Sequence, residues 1–295
     1  MVAVATNVGR NGGESGASNV LNLGRAFRYG ILGLVGVFFI IPILASARFS
    51  FLGNNNTLTI SAYTQLFSTP QFWSTLFLSV KIGLGTVLLT LALLIPTVIS
   101  IHLRVPKLKR VFESISLLPL VIPSVVVTLG VITSFKGLPN IIMGTPVILA
   151  LEYVILALPY SYRTFDSAVQ AIDLKTLVDA GQSLGAGWSK LLRFVVLPNL
   201  RSGLLGAAIL AFAFCLGEFA VASLLSFTTF PVFLVQVGQV AASQAVALSL
   251  IALLFTWMPL AVIIIIFFGQ RNASSKTRGV PLATTVSQEE TTGIA

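Results

Sequence analysis

"VDAGQSLGAGWSKLLRFVVLPNL", residues 178–200, is a polar, glycine-punctuated segment between two long apolar runs. Its front carries Asp179, Gln182 and Ser183. Its middle carries Lys190 and Arg193, and it closes on Leu197-Pro198-Asn199-Leu200. Across its upstream approach, apolar residues recur at Phe165, Val169, Ile172, Leu177 and Ala180. That spacing predicts an amphipathic helix running into the segment. Gly181 and Gly185 interrupt it, and Gly185 is placed to end a helix in a left-handed conformation. Trp188 suits a membrane interface. Leu191, Leu192, Phe194, Val195 and Val196 follow as a second short amphipathic stretch. Pro198 punctuates the return to an apolar run, because proline interrupts the helical hydrogen-bond ladder. The predicted order is helix, glycine turn, short helix, proline, apolar helix. Such a unit presents a short helix on a firm base. It is either an interfacial helix resting on lipid or a docking helix for a cytoplasmic protein.

The surrounding chain decides the setting. Of its 295 residues, 56% are hydrophobic and 9% charged, with mean hydropathy +0.96. Soluble domains carry about 25% charged residues. A spanning helix needs about 20 mostly apolar residues, and six stretches qualify: 28–48, 73–102, 112–135, 141–162, 201–225 and 243–269. Pro42, Pro96, Pro119, Pro123 and Pro159 lie inside them, which membrane helices tolerate as kinks. The fold class is therefore an all-α polytopic membrane protein. Its membrane domain runs over 25–271, with polar tails at 1–24 and 272–295 expected to be disordered. The run after Arg25 and Arg28 lacks a small-residue cleavage site and reads as a retained first span.

Charge sets the orientation. With the N-terminus inside, fifteen of the 18 Lys and Arg residues fall in the tails and in the loops after the second and fourth spans. Arg48 and Lys136 fall outside and Lys81 lies in a span. Lys and Arg prefer cytoplasmic loops, so both termini are placed inside. The net charge of +9 is then topological, and nucleic acid is not expected as a partner. The external segments are 49–72, 136–140 and 226–242. The first reads as a linker with a short interfacial helix or as a contact for an external partner.

In that frame the opening segment resembles the EAA loop of type I, binding-protein-dependent ABC importer permeases. The family pattern is Glu-Ala-Ala, three residues, Gly, nine residues, Ile, one residue, Leu-Pro. Asp179, Ala180, Gly181, Gly185, Val195, Leu197 and Pro198 take those places with the spacing intact. Asp stands for Glu, Gly for the second Ala and Val for Ile. The resemblance covers about residues 28–270. It implies the type I importer permease fold, with 163–200 as the coupling loop to a dimer of ABC ATPase subunits. It also implies a second permease subunit, identical or related, and an extracytoplasmic solute-binding protein. The setting is a bacterial-type cytoplasmic membrane. ATP and Mg belong to the partner ATPase, and no cofactor or metal is expected on this chain.

Ionisable residues within the membrane are costly and are functional candidates by default. Glu218, Glu152 and Lys81 stand out. Lys81 either snorkels to the outer surface or, by depth, pairs with Glu218. Glu152 is a structural acid or part of the translocation pathway. "LGEF" at 216–219 resembles the matching span of permeases for ferric iron, molybdate, sulfate, thiamine and polyamines. A free carboxylate at Glu218 favours a polyamine-like or other cationic solute; one that accepts hydrogen bonds from neighbouring helices removes that preference. Gly203, Ala207, Ala211 and Cys215 form a small-residue stripe suited to the dimer interface or to close packing against span three or four.

Other chemistry finds no support. The single Cys215 allows no intramolecular disulfide framework. There is no phosphate-binding Gly-x-x-x-x-Gly-Lys-Ser/Thr loop, so the chain is expected to borrow its ATPase. His102 has no ligand companions at metal spacing and reads as interfacial. The competing readings are a self-sufficient six-span transporter or channel, and a membrane-embedded enzyme. The patterned loop speaks against the first of these, and the missing catalytic constellation against the second.

Overall fold

The computed structural model describes residues 13–52, 57–135, 137 and 140–276. Lys136 and residues 1–12 and 277–295 lie outside them. Helix α1 (Gly13–Ser50) is followed by α2 (Ser61–Ser68) and α3 (Pro70–Leu103). A 3-10 turn (Pro106–Leu108) leads to α4 (Lys109–Val121), α5 (Ser124–Ser134) and α6 (Asn140–Met143). The long α7 (Val147–Gln170) runs into α8 (Leu174–Ser183) and α9 (Trp188–Leu191). A π-helical turn (Leu192–Val196) joins α9 to α10 (Leu197–Asn199), and α11 (Arg201–Gly217) and α12 (Ala220–Leu224) come next. The last helices are α13 (Phe230–Gly238) and α14 (Ala242–Lys276). Among the described residues the only β pairing is an isolated bridge between Leu52 and Leu58.

Helices replace the expected spans with instructive differences. The runs 28–48 and 73–102 lie within α1 and α3, and Phe27–Ser50 and Pro70–Leu103 are each long and apolar enough to cross a bilayer. The run 112–135 is not one helix. It breaks at Ile122-Pro123, and Pro106–Val121 meets Ser124–Ser134 at 93°. Pro123 has no N–H to give the preceding turn, and its neighbour Ile122 is extended. The fourth run begins later than expected and continues past 162 to Gln170. The fifth is bent by 74° from the preceding Trp188–Asn199 and stops at Gly217. The sixth falls inside α14. Counting each bent pair as one span gives up to four among the described residues. Part of the expected disordered tails is helical: α1 starts at Gly13 and α14 ends at Lys276. Once an apolar helix is nucleated, each further hydrogen bond fixes only one more residue, so α1 extends into a Gly/Ser-rich sequence.

The chain divides into two compact units. The smaller joins Met1–Ser68 with Val237–Leu250. Within it Ser50 and Tyr63 share a hydrogen bond (Oγ–Oη 2.8 Å), and Gln244 Nε2 donates to Gln65 Oε1 (2.5 Å). The segment 49–72 contains α2, whose Ala62 and Leu66 are buried.

The larger unit, Thr69–Gln236 with Ile251–Ala295, is built on α3, α7 and α11 packed together. The small-residue stripe explains their closeness. Gly203, Ala207, Ala211 and Cys215 are all buried. A Cβ on Gly203 would lie 2.2 Å from the Cβ of Ala168, and one on Gly83 would lie 2.9 Å from the Phe212 ring. Ser161 Oγ donates to the Ala207 carbonyl at 3.1 Å. The stripe therefore packs α11 against α7 and α3 inside this chain, not against a second copy.

Gly203→Ala is expected to destabilise the unit by about 1–3 kcal/mol through overpacking. Adding Ala168→Gly should recover most of the loss. Thermal unfolding in detergent measures both; equal stability of the single variant and the parent would contradict the close approach.

Candidate functional site

The loop after α7 is built from local chemistry. Asp173 caps α8: its carboxylate accepts from the Thr176 hydroxyl (2.7 Å) and amide (3.2 Å). Those two bonds, the hydroxyl's first, hold the Asp173 carboxyl below its usual range. The cap also corrects the expected continuous helix. Helix α7 ends at Gln170, and α8 starts with a new phase. The buried residues are Phe165 and Val169 on α7 but Leu174 and Val178 on α8, while Ala180 is exposed.

Gly185 ends α8 as its position foretold, with φ +76°. Its amide donates to the Gln182 carbonyl (2.8 Å), and the Ala186 amide donates to the Gly181 carbonyl (3.1 Å). This is the six-to-one and five-to-two pairing of a Schellman turn. It turns the chain so that α9 comes back over α8. There Leu191 is fully buried. A Cβ on Gly181 would lie 2.3 Å from Leu191 Cδ2, so Leu191 packs directly on the glycine backbone in its present rotamer. Burying a leucine is worth about 1.5–3 kcal/mol.

Leu191, Val196 and Leu200 join Leu94, Val98, Phe165 and Val178 in one apolar cluster under α3 and α7. Trp188 is 40% exposed and lies under the Arg104 guanidinium, 5.9 Å from its ring centre. Pro198 cannot donate, and the helix before it opens into a π turn; Asn199 Nδ2 donates to the Val195 carbonyl at 2.7 Å. What the loop leaves outward is Asp179, Ala180, Gly185, Pro198 and, above all, Leu184 (89% exposed). Leu197 is half-buried.

The three intramembrane charges do not gather. Glu218 follows the break that ends α11, and its Oε1 accepts from the amides of Ala220 (3.0 Å) and Val221 (3.2 Å), the start of α12. Its carboxylate thereby caps the helix that follows it in the chain. Glu152 is 2% exposed, with Thr128 Oγ1 donating to its Oε1 at 2.5 Å. Lys81 is exposed and makes no ion pair with Glu218. Among the described residues no group of three His, Cys, Asp or Glu is arranged to hold a metal ion.

With this geometry, the family comparison is decisive. Residues 92–277 match the family described as binding-protein-dependent transport system inner membrane component. The chain belongs to this family. Among its relatives, a putative ferric transport system permease protein of Haemophilus influenzae is 29% identical over 212 residues, which are 68% of this chain and 33% of that protein. The molybdenum transport system permease protein of Mycobacterium tuberculosis is 30% identical over 166 residues, 52% of this chain and 62% of that one. A putative 2-aminoethylphosphonate transport system permease protein of Salmonella typhimurium is 25% identical over 187 residues, 61% and 70% of the two chains. This chain spans about a third of the length of the ferric relative. The fold matches a bacterial ABC transporter involved in import of the acidic polysaccharide alginate, with TM-score 0.62, 13% identity and coverage of 89% of this chain and 100% of that one.

The permease also contains a link that the sequence concealed. His102 Nε2 lies 2.7 Å from Asp166 Oδ1, and Gln170 Nε2 donates to Asp166 Oδ2 at 2.5 Å. This pair ties the end of α3 to the part of α7 that leads into the loop. The two residues are 64 positions apart, and no local pattern joins them.

Glu218→Gln keeps an acceptor oxygen for the two amides, whereas Glu218→Ala leaves them bare. The Ala variant should lose about 0.5–2 kcal/mol, the usual worth of a helix cap, and the Gln variant much less. Thermal unfolding of the two variants decides; an equal loss would place the role of Glu218 outside the cap.

Proposed function

We propose that this permease is one half of the translocation pathway of an ATP-driven importer. In this reading six spans cross the cytoplasmic membrane with both termini inside, as the distribution of Lys and Arg supports. The loop 163–200 is the coupling element, and Asp179, Ala180, Gly181, Gly185, Leu197 and Pro198 shape it. The observation that carries the reading is the seat of Leu191 on Gly181 beneath the left-handed turn at Gly185. It makes the loop a stiff lever fixed to α7 and α11, with Leu184 held outward at its tip. A bistable membrane assembly needs such a rigid connection to receive motion from elsewhere.

The partners are a dimer of ABC ATPase subunits, which bind ATP and Mg, a second permease subunit, and an extracytoplasmic binding protein that delivers the solute. The ferric relative supports the second permease. It is more than twice the length of this chain and matches it over a third of its own length. Half a pathway here requires another half. The cargo is a small solute of the kinds for which the relatives are named: ferric iron, molybdate or a phosphonate.

The chain should co-purify with an ATPase subunit encoded beside it, and uptake into proteoliposomes should require ATP. Gly185→Val, which forces a β-branched residue into φ +76° at a cost of about 1–2 kcal/mol or more, should cut ATP-driven uptake severalfold while leaving membrane insertion intact. Gly185→Asn, which tolerates that backbone, should retain most activity. Uptake by the chain alone, without ATP, would instead establish a self-sufficient transporter or channel.

A further inference from the structure

Lys81 is the one of the three intramembrane charges that the fold leaves unengaged. Glu218 caps α12 and Glu152 is buried against Thr128. Lys81 is exposed, and among the described residues no carboxylate lies within ion-pair distance of it. It stands eleven residues after Pro70, about 16 Å along a helix of about 51 Å at ~1.5 Å per residue, well inside the apolar stretch Pro70–Leu103. The face of α3 that packs within the unit carries Ser79, Ile82, Gly83 and Thr86, and Lys81 is not on it.

Its neighbours on the outward surface are of two kinds. Trp73, Phe77, Leu84 and Leu88 form a bulky apolar stripe, each 43–70% exposed. Beside it Ser74, Lys81, Gly85 and Ala92 follow at steps of seven, four and seven residues, close to whole helical turns, so they share one line along α3. The line is polar and small where the stripe is large. A lysine turned to hydrocarbon costs about 2.5–3.5 kcal/mol near a helix centre, and its neighbours on this line are small, with Gly85 half-buried beside Ala150 of α7.

We propose that this line of α3 faces the translocation route, that Lys81 is its charge-selecting group, and that the cargo is a small anion, an oxyanion or an organic phosphate or phosphonate. The inference rests on the importer reading above. An ammonium with no protein counter-charge, set in a passage with low-dielectric walls, concentrates anions and repels cations. A single flexible point charge with three rotatable donors also suits transit. It attracts an anion without enclosing it, and a solute must leave a route as readily as it enters. Of the two carboxylates on the neighbouring helices, Glu218 Oε1 takes up amides of α12 and Glu152 is enclosed in the packed unit, away from this outward line of α3.

The test uses the intact complex with the ATPase and binding protein encoded beside the permease. Thermal shift of that binding protein against molybdate, sulfate, phosphate, 2-aminoethylphosphonate, spermidine, thiamine and ferric iron should give its response with an anion. With that anion, Lys81→Gln should lower ATP-driven uptake about tenfold, the effect of ~1.4 kcal/mol in transit. Lys81→Arg should keep most of it, and both variants should assemble with the ATPase as the parent does. A binding protein that answers to no anion overturns the proposal, as does unchanged uptake in Lys81→Gln. Loss of assembly in Lys81→Gln with rescue by Lys81→Arg also overturns it, by assigning Lys81 to an ion pair between subunits. In each of these cases ATP-dependent uptake by the unaltered complex keeps the importer reading standing, so the two ideas fail separately.

Discussion

Leu191 lies directly against the bare backbone of Gly181, its Cδ2 2.3 Å from where a Cβ would stand. The fold of the loop 163–200 is organised around that contact. Leu191 can reach Gly181 only if the chain reverses between them, and the reversal is the left-handed turn at Gly185. With Leu191 seated, Val196 and Leu200 fall into the same apolar cluster as Leu94, Val98 and Phe165. The loop is then continuous with the packing of α3, α7 and α11. It does not hang from the membrane unit; its own core is part of that unit's core.

The same economy of side chains governs the helices above it. Gly203, Ala207 and Ala211 bring α11 against α7 closely enough for Ser161 to reach a backbone carbonyl. Breaks appear where a helix cannot continue, at Ile122-Pro123 and at Glu218. At the second break the chain supplies its own remedy, a carboxylate that takes up two amide donors of the next helix. In an apolar setting an uncapped helix start is expensive, so an acid at this point is first of all a structural requirement. The rigid loop below and the self-capped break above are consistent with helices that move as a body.

Much of this was legible in the sequence because it is local. The glycine at 185 and the proline at 198 each act within a turn or two of their own position, and the small-residue stripe could be read as a packing face although its partners could not. The phase of the loop helices was not legible. One continuous periodicity through Phe165, Val169, Ile172, Leu177 and Ala180 missed the cap at Asp173, which restarts the helix and shifts the buried face to Leu174 and Val178. Pairings between distant segments were equally hidden. His102 with Asp166 and Thr128 with Glu152 depend on which helices become neighbours. Hydropathy alone joined 112–135 into one span, because a bend at Pro123 changes direction without changing composition.

In the importer proposed above, the tip of the loop, with Leu184 outermost, is where an ATPase subunit docks. The direct measurement is disulfide cross-linking in a Cys215→Ser background, with Leu184→Cys paired against single cysteines placed across the surface of the ATPase. The account predicts an efficient cross-link to one cleft of the ATPase, weakened when Gly185→Val displaces the tip. Labelling of the Leu184→Cys thiol by a lipid-phase reagent, with no cross-link to the ATPase at any position, would contradict it.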